Sequence, residues 1–155
     1  MDNAAPKATV RLASETWESL MTAHASLNRL FSNDNIWKNA SMKEYDVLYT
    51  LAKAAGPLRI CDLQERVLLS QPALSRLVDR LIDRSLIERT VDLEDRRAVR
   101  IFITEAGLEL QKEVGRVHAK SIFKELNPAL DPEEQIELLR LCEKLSTYSK
   151  TRTDR

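Results

Sequence analysis

The stretch from Ser70 to Arg84 carries side chains suited to reading the edges of nucleic-acid bases. A guanidinium fork can bind two acceptors of one guanine, and short polar side chains can contact other base edges or phosphates. Apolar residues recur at helical spacing, which predicts an amphipathic helix over 70–84 with Ser70 as its N-cap and a proline in its first turn. If its outer charges are not simply solvated, the candidate contacts on its exposed face are Ser70, Gln71, Pro72, Ala73, Ser75, Arg76 and Arg80.

Two strands are predicted after this helix. Residues 87–91 and 99–103 alternate with period two and are rich in β-branched side chains. Between them, residues 92–98 form a polar hairpin long enough to project as a wing. Arg96 and Arg97 near its tip suit the narrow minor groove of DNA, where the negative potential is enhanced. Asp95 is predicted to form an internal ion pair that holds the wing arginine, although charge on such a turn can also serve only to block aggregation.

The order helix, helix, strand, charged turn and strand over 58–104 describes a winged helix-turn-helix, with the first of its two helices predicted over 62–68. The segments LSRLVDRLIDRSLIER and DRRAVRIFITEAG closely resemble the MarR (multiple antibiotic resistance regulator) family of winged-helix transcription factors. Asp95, Arg97, Thr104 and Gly107 match the family's pattern of Asp-x-Arg, a strand, and Thr-x-x-Gly. Through helix order and length, the resemblance extends to nearly the whole chain.

Two positions depart from the family's pattern. Members usually carry glycine between the two helices of the helix-turn-helix and again after the recognition helix, where this chain has Leu68 and Ser85. Glycine serves at helix ends because it accepts a positive φ. We therefore expect these two turns to be closed differently or to be mildly strained.

Charge is balanced over the chain. Its 155 residues include 24 Lys and Arg against 24 Asp and Glu, so DNA affinity must come from local asymmetry. Every cation in 58–104 is an arginine, which favours positioned, two-pronged contacts over diffuse attraction. The zero net charge, with Asp79 and Asp83 on the outer helix face, leaves open a winged-helix dimer that acts through protein contacts without DNA.

Long helices are predicted on both sides of this lobe. The first, over 9–31, and the last two, from 105 onward, carry more apolar surface than one face would bury. They are predicted to form a symmetric homodimer, which the resemblance also implies, on a palindromic operator with half-sites about 10 base pairs apart. The fold class is mainly α with a small β wing (α+β). One domain spans 1–155, with 9–54 and 105–150 as dimerisation region and 58–104 as DNA-binding lobe.

The resemblance also implies that a small aromatic anion binds between the dimerisation helices and the lobe and releases DNA. The residues able to line that cleft, all of which would also suit an ordinary core, are Trp17, Met21, His24, Tyr45 and Tyr49, with Arg59 or Arg89 as partner of the anion. A thiol-based redox switch is the alternative regulation, because Cys61 lies near a helix N-terminus that can activate it. A buried structural role is the plainer interpretation for Cys61 and Cys142.

Enzymatic chemistry is not indicated. His24 and His118 lie in separate predicted helices without a Ser-His-Asp or Cys-His pattern, and the cysteines and histidines lack zinc-ligand spacing. We therefore expect no catalysis, no metal and no cofactor. The chain has no apolar run of about 18 residues and no leader, which predicts a cytoplasmic protein without a membrane segment. The whole pattern predicts a DNA-binding transcriptional regulator, and more specifically a repressor.

Overall fold

The computed structural model describes residues 9–92 and 99–153. Their secondary structure, in chain order, is α1 Val10–Ser32, α2 Met42–Lys53, β1 Leu58–Arg59, α3 Ile60–Gln64, α4 Gln71–Asp83, β2 Ile87–Val91, β3 Val99–Ile103, α5 Glu105–Leu126 and α6 Pro132–Thr153. The chain forms two compact units, of which the first ends at Val114 and the second begins at Gly115, inside α5. The predicted fold class is confirmed, with six helices and three strands among the described residues.

The three strands form one antiparallel sheet in the order β1-β3-β2. Ile87 pairs with Ile103 and Val91 with Val99, while Leu58 of the short β1 pairs with Ile101. Strands β2 and β3 have the predicted boundaries, because β-branched alternation is strong and stops at both ends of the polar hairpin. The hairpin residues 93–98 lie outside the described part of the chain.

The core of the first unit lies where α2, α3 and α4 meet the sheet. Its fully buried side chains include Leu48 of α2, Leu63 of α3, Leu74 and Leu81 of α4, and Ile87 of β2. In α4 the apolar residues follow the spacing of one helix face, so that face packs inward and the opposite one is left to solvent. This packing fixes which side of α4 is available for contacts.

Helix starts follow local capping signals with one exception. Ser41 opens α2 with a complete capping box, in which its hydroxyl accepts from the Glu44 N–H and Glu44 accepts from the Ser41 N–H. The first helix of the helix-turn-helix was predicted over 62–68, but α3 spans Ile60–Gln64. Asp62 is not the residue before the helix; it lies within the first turn and accepts from the Arg59 N–H at 3.2 Å. The helix therefore begins earlier.

The recognition helix α4 ends in a Schellman motif built around a serine. The Leu86 N–H donates to the Leu81 carbonyl at 2.9 Å, and the Ser85 N–H donates to the Ile82 carbonyl at 2.7 Å. Ser85 has φ 56°, the left-handed conformation for which glycine is usual. The strain expected at this departure from the family pattern is therefore present at Ser85. At Leu68, by contrast, φ is not positive.

A close approach between two backbone segments explains the Thr-x-x-Gly pattern. Thr104 caps α5 by accepting from the Gly107 N–H at 3.1 Å, and its hydroxyl donates to the Ser85 carbonyl at 2.8 Å. A β-carbon on Gly107 would lie only 2.0 Å from the carbonyl oxygen of Leu86. Glycine is required at 107 because backbone occupies the space of its side chain.

Apolar side chains remain exposed on α1 and, separately, on α6. Trp17 of α1 is 60% exposed and Ile136 of α6 is 67% exposed. Further exposed apolar residues in these helices are Val10, Leu12, Leu30, Leu138, Leu139, Leu141, Leu145 and Tyr148. Among the described residues, no helix is long and apolar enough to cross a membrane.

Candidate nucleic-acid interface

The outer face of α4 presents the side chains that the sequence pointed to. Gln71, Pro72, Arg76 and Arg80 are exposed, whereas Ala73 and Ser75 are partly buried. Ser70 occupies the N-cap position, but its side chain makes no capping hydrogen bond. Its hydroxyl is therefore not committed to the helix end. Arg76 and Arg80 lie one turn apart, so the face offers two cations beside small polar groups.

One of the acids on this face is paired. Asp79 of α4 binds Arg89 of β2, with 2.5 Å between the carboxylate Oδ1 and the guanidinium Nη2, and both side chains are about half exposed. The pair offsets a negative charge that would otherwise repel a phosphate backbone. Arg89 was predicted as a partner of an anionic ligand; the structure places its guanidinium on this carboxylate, and the predicted role stays untested.

A buried carboxylate anchors the base of the wing. Asp92 follows β2 directly and is 1% exposed. Its Oδ2 lies 2.7 Å from Nη2 of Arg59 in β1 and 2.9 Å from Nε of Arg100 in β3. Arg100 also donates to the Pro57 carbonyl at 3.2 Å. One acid at the end of β2 thus forms ion pairs with both of the other strands of the sheet.

The sequence interpretation did not identify Asp92 as an anchor. It assigned wing stabilisation to Asp95, which lies with Arg96 and Arg97 outside the described residues, so those predictions stay untested. Arg59 was predicted as an anion partner of a ligand, and in the structure its guanidinium already binds a carboxylate. An acid at the end of a strand is common, so no local signal distinguished Asp92.

Another ion pair joins the end of α4 to α2. Arg84 Nη1 lies 3.1 Å from Glu44 Oε1, and Arg84 Nη2 donates to the Asn39 carbonyl at 2.6 Å. Burial opposes ionisation of Glu44, but the hydrogen bonds from Ser41 and the charges of Arg84 and Arg80 outweigh it and hold the Glu44 pKa below its usual value. Glu44 is therefore an anion near neutral pH.

A cleft of about 760 Å³ lies within the first unit beside this ion pair. Its walls come from α1, the segment 33–41, the first turn of α2 and two residues of the helix-turn-helix lobe. Both apolar and charged side chains line it, and burial raises the pKa of the Asp46 carboxyl. The lining includes His24, Asn28, Trp37, Lys38, Lys43, Glu44, Asp46, Leu68 and Arg84.

The predicted effector residues do not all meet at this cleft. His24 lines it, whereas Trp17 and Met21 are exposed on α1. Tyr45 is buried in an aromatic group, with its ring centroid 5.9 Å from that of Trp37 and 5.8 Å from that of Tyr49. Neither tyrosine is part of the cleft lining. Which of these residues contact an effector stays a prediction.

Neither metal nor thiol chemistry is assembled in the described part of the chain. No group of three or more His, Cys, Asp or Glu residues there could hold a metal ion. Cys61 is exposed as the second residue of α3, so the interpretation of a buried structural role is wrong for this cysteine, whereas Cys142 in α6 is partly buried. The two thiols occur in different units, and both are free.

The helix-turn-helix and the adjoining sheet agree with a known family. Residues 40–99 match the model of the MarR family, a range that contains α2, α3, α4 and β2. This part of the chain, which includes the helix-turn-helix, matches the MarR family. This confirms the recognition made from the recognition helix and wing.

Several individual proteins that are similar to this chain are named as transcriptional regulators. The chain is 28% identical over 132 residues to the HTH-type transcriptional repressor MdtR of Bacillus subtilis. This alignment covers 81% of this chain and 84% of MdtR. AbsC, a MarR family transcriptional regulator from Streptomyces coelicolor, superposes with a TM-score of 0.71 at 24% identity, covering 95% of this chain and 99% of AbsC. Sco3205 from the same organism, solved in complex with DNA, has a TM-score of 0.71 at 20% identity, covering 93% of this chain and 91% of Sco3205. At these identities the solved structures establish the shared fold.

Proposed function

We propose that this chain is a MarR-family transcriptional regulator that binds double-stranded DNA as a homodimer at a palindromic operator and represses transcription. The proposal rests mainly on the exposed outer face of α4, which presents Arg76 and Arg80, together with a sheet whose strands are joined by ion pairs at Asp92. A helix of this width enters the major groove, while an arginine-bearing wing reaches the adjacent minor groove. The repressor name of MdtR and the DNA complex of Sco3205 support the proposal.

The dimer is supported by the exposed apolar surface of α1 and α6. Many large apolar side chains exposed on one helix commonly mark an interface, and this holds for each of the two helices taken separately. Two-fold pairing would present two copies of α4 to half-sites about 10 base pairs apart, which is one turn of DNA. Such a regulator would act in the cytoplasm, where its operator lies.

Relief of repression by a small aromatic or anionic effector completes the proposal. The cleft beside α1 and α2 has aromatic and apolar groups in its walls together with Lys38, Lys43 and Arg84. This composition suits a flat apolar ligand with one negative group. Thiol regulation through the exposed Cys61 is the alternative, and DNA affinity that is unchanged after mild peroxide treatment would remove it.

The test is selection of DNA from a random pool, followed by titration at two salt concentrations. We expect the selected DNA sequence to be palindromic and its affinity for the protein to fall as the salt concentration rises. Arg76→Ala should cost about 1–3 kcal/mol of binding free energy and relax specificity at one position, if Arg76 reads a base. Arg97→Ala should also weaken binding, because its guanidinium is assigned to the minor groove.

The matched control is Arg11→Ala, which removes an exposed arginine of α1 outside the lobe. Because α1 belongs to the proposed dimerisation region, sedimentation velocity first checks that this variant is still a dimer, and its affinity and specificity should then equal those of the wild type. If wild-type protein enriches no sequence above background, the proposed DNA function is wrong, and capture of a protein partner by the same face becomes the hypothesis to pursue.

A further inference from the structure

The C-terminal end of α4 is tied by one guanidinium to two groups far away in sequence. Arg84 is the residue that caps α4, and its side chain binds both the Glu44 carboxylate and the Asn39 carbonyl. Glu44 is in the first turn of α2, and Asn39 precedes that helix. The fork therefore connects α4 to α2 and to the segment leading into it.

The acceptor on α2 is itself held in place. Glu44 Oε2 accepts from the Ser41 N–H at 2.7 Å and from the Ser41 hydroxyl at 2.9 Å, which leaves Oε1 directed at Arg84. The Glu44 side chain is only 12% exposed. A carboxylate fixed at one oxygen by its own capping box presents the other oxygen in a defined direction.

Packing alone does not define the direction of α4. Helices α2 and α4 share one apolar core, but apolar burial is non-directional and tolerates small rotations. A guanidinium that binds two acceptors in fixed geometry does not tolerate them. The Schellman motif at Ser85 also fixes the backbone immediately after Arg84. This end of α4 is therefore held more firmly than its exposed, uncapped N-terminal end.

The consequence falls on the opposite end of the helix. The 13 residues of α4 span about 20 Å. A rotation of about 5° around the Arg84 end would move the first turn by roughly 1.7 Å over that length. Hydrogen bonds to base edges tolerate much less than this before they are lost, since their donor–acceptor distances vary by only about 0.5 Å.

We propose that Arg84 is a positioning residue for DNA recognition and that Glu44 is its anchor. The ion pair fixes the angle at which α4 presents Gln71, Arg76 and Arg80 to the major groove. Neither Arg84 nor Glu44 contacts a base in this assignment. The inference rests on the proposed DNA-binding function and adds to it the element that sets the geometry of reading.

Glu44→Gln is the decisive variant, because geometry and charge predict opposite results. Removing an acid from a DNA-binding protein should tighten binding if only electrostatics matters. Loss of the anchor should instead weaken binding to the selected operator by about fivefold, a typical size for coupling between paired residues. Affinity for random DNA and the salt slope should show no loss. Full-length protein is used throughout, with the folded fraction checked by thermal unfolding.

Arg84→Gln and the double variant complete a cycle. Each single substitution already breaks the ion pair between Arg84 and Glu44. The double variant should therefore bind the operator no more weakly than whichever single variant has the lower affinity. Arg84→Lys keeps the charge but not the fork, and it should recover only part of the affinity. Glu88→Gln is the charge-matched control, since Glu88 is an exposed acid on β2, outside the dimerisation region, and its loss should not weaken operator binding.

The outcomes separate the two proposals. If wild-type protein selects an operator and Glu44→Gln binds it equally well or more tightly, the positioning role is wrong while the DNA function stands. If Arg84→Gln loses affinity for operator and random DNA alike with a shallower salt slope, Arg84 contacts phosphate and the positioning role is also wrong. If wild-type protein selects no sequence, the proposed function fails, and the positioning role fails with it.

Discussion

Ser85 occupies a conformation that a glycine would adopt at lower cost. Its φ of 56° brings the β-carbon close to the following carbonyl, which costs an L-residue about 1–2 kcal/mol. Glycine removes that cost but adds about 0.4–1 kcal/mol of chain entropy to the unfolded state. Ser85→Gly should therefore raise the free energy of unfolding by about 0.5–1 kcal/mol, measured as a higher urea midpoint at unchanged slope.

Two serine substitutions serve as controls for this prediction. Ser85→Ala keeps the β-carbon and should bring no gain. Ser19→Gly lies inside α1, where the backbone is helical, and should lower the free energy of unfolding by about 0.5 kcal/mol. A loss of stability in Ser85→Gly would show that the serine hydroxyl, and not the backbone, determines this turn.

Gly107 shows the opposite case at the same corner of the molecule. Its φ is not positive, yet no side chain fits, because a β-carbon would collide with the Leu86 carbonyl oxygen. The family pattern identified both positions, but only as places where glycine is usual. The physical reasons differ, one being a dihedral angle and the other a close approach between segments that meet only in the folded chain.

At the scale of elements, one buried acid at the end of β2 holds the strands of the sheet together. Asp92→Asn would leave Arg59 and Arg100 facing an uncharged amide whose NH2 group cannot accept from either guanidinium. Both arginines keep about a third of their side-chain surface in solvent, so water compensates in part. We expect the free energy of unfolding to fall by about 1–3 kcal/mol, measured by urea denaturation.

The exposed pair on α4 and β2 is the matched comparison. Asp79→Asn opens one Asp–Arg pair whose side chains are about half exposed, and it should change the free energy of unfolding by less than about 1 kcal/mol. Equal losses in Asp92→Asn and Asp79→Asn would contradict a special role for the buried acid at the base of the wing.

Local elements were predictable from the sequence because their signals are local. The boundaries of β2 and β3 follow from alternation, and α2 follows from the capping box at Ser41. The helix predicted from residue 62 begins at Ile60, because an aspartate suits several positions near a helix start and the neighbouring residues do not separate them. The two residues of the ion pair between Arg59 and Asp92 are 33 positions apart in the sequence, so no local spacing predicts that they meet.

At the scale of the whole molecule, α6 predicts association. Leu139 is 59% exposed in the middle of this helix, and it has apolar neighbours on the same helix at 136 and 142. Burial of one leucine side chain contributes about 1.5–3 kcal/mol. In a two-fold interface both copies of Leu139 are buried, so one substitution removes this contribution twice. Leu139→Asp should therefore raise the dimer dissociation constant at least about 100-fold, which corresponds to roughly 3 kcal/mol.

Sedimentation velocity over a concentration series measures this effect directly. Wild-type protein should sediment as a dimer at micromolar concentration and Leu139→Asp mainly as a monomer. The variant should also bind the operator more weakly, because each monomer contacts one half-site without being linked to the other. Thr147→Asp is the control, since Thr147 lies on the polar side of α6 that carries Arg140 and Lys144 and should leave the dimer intact. A wild-type monomer at these concentrations would contradict the dimer and would remove the reason for a palindromic operator.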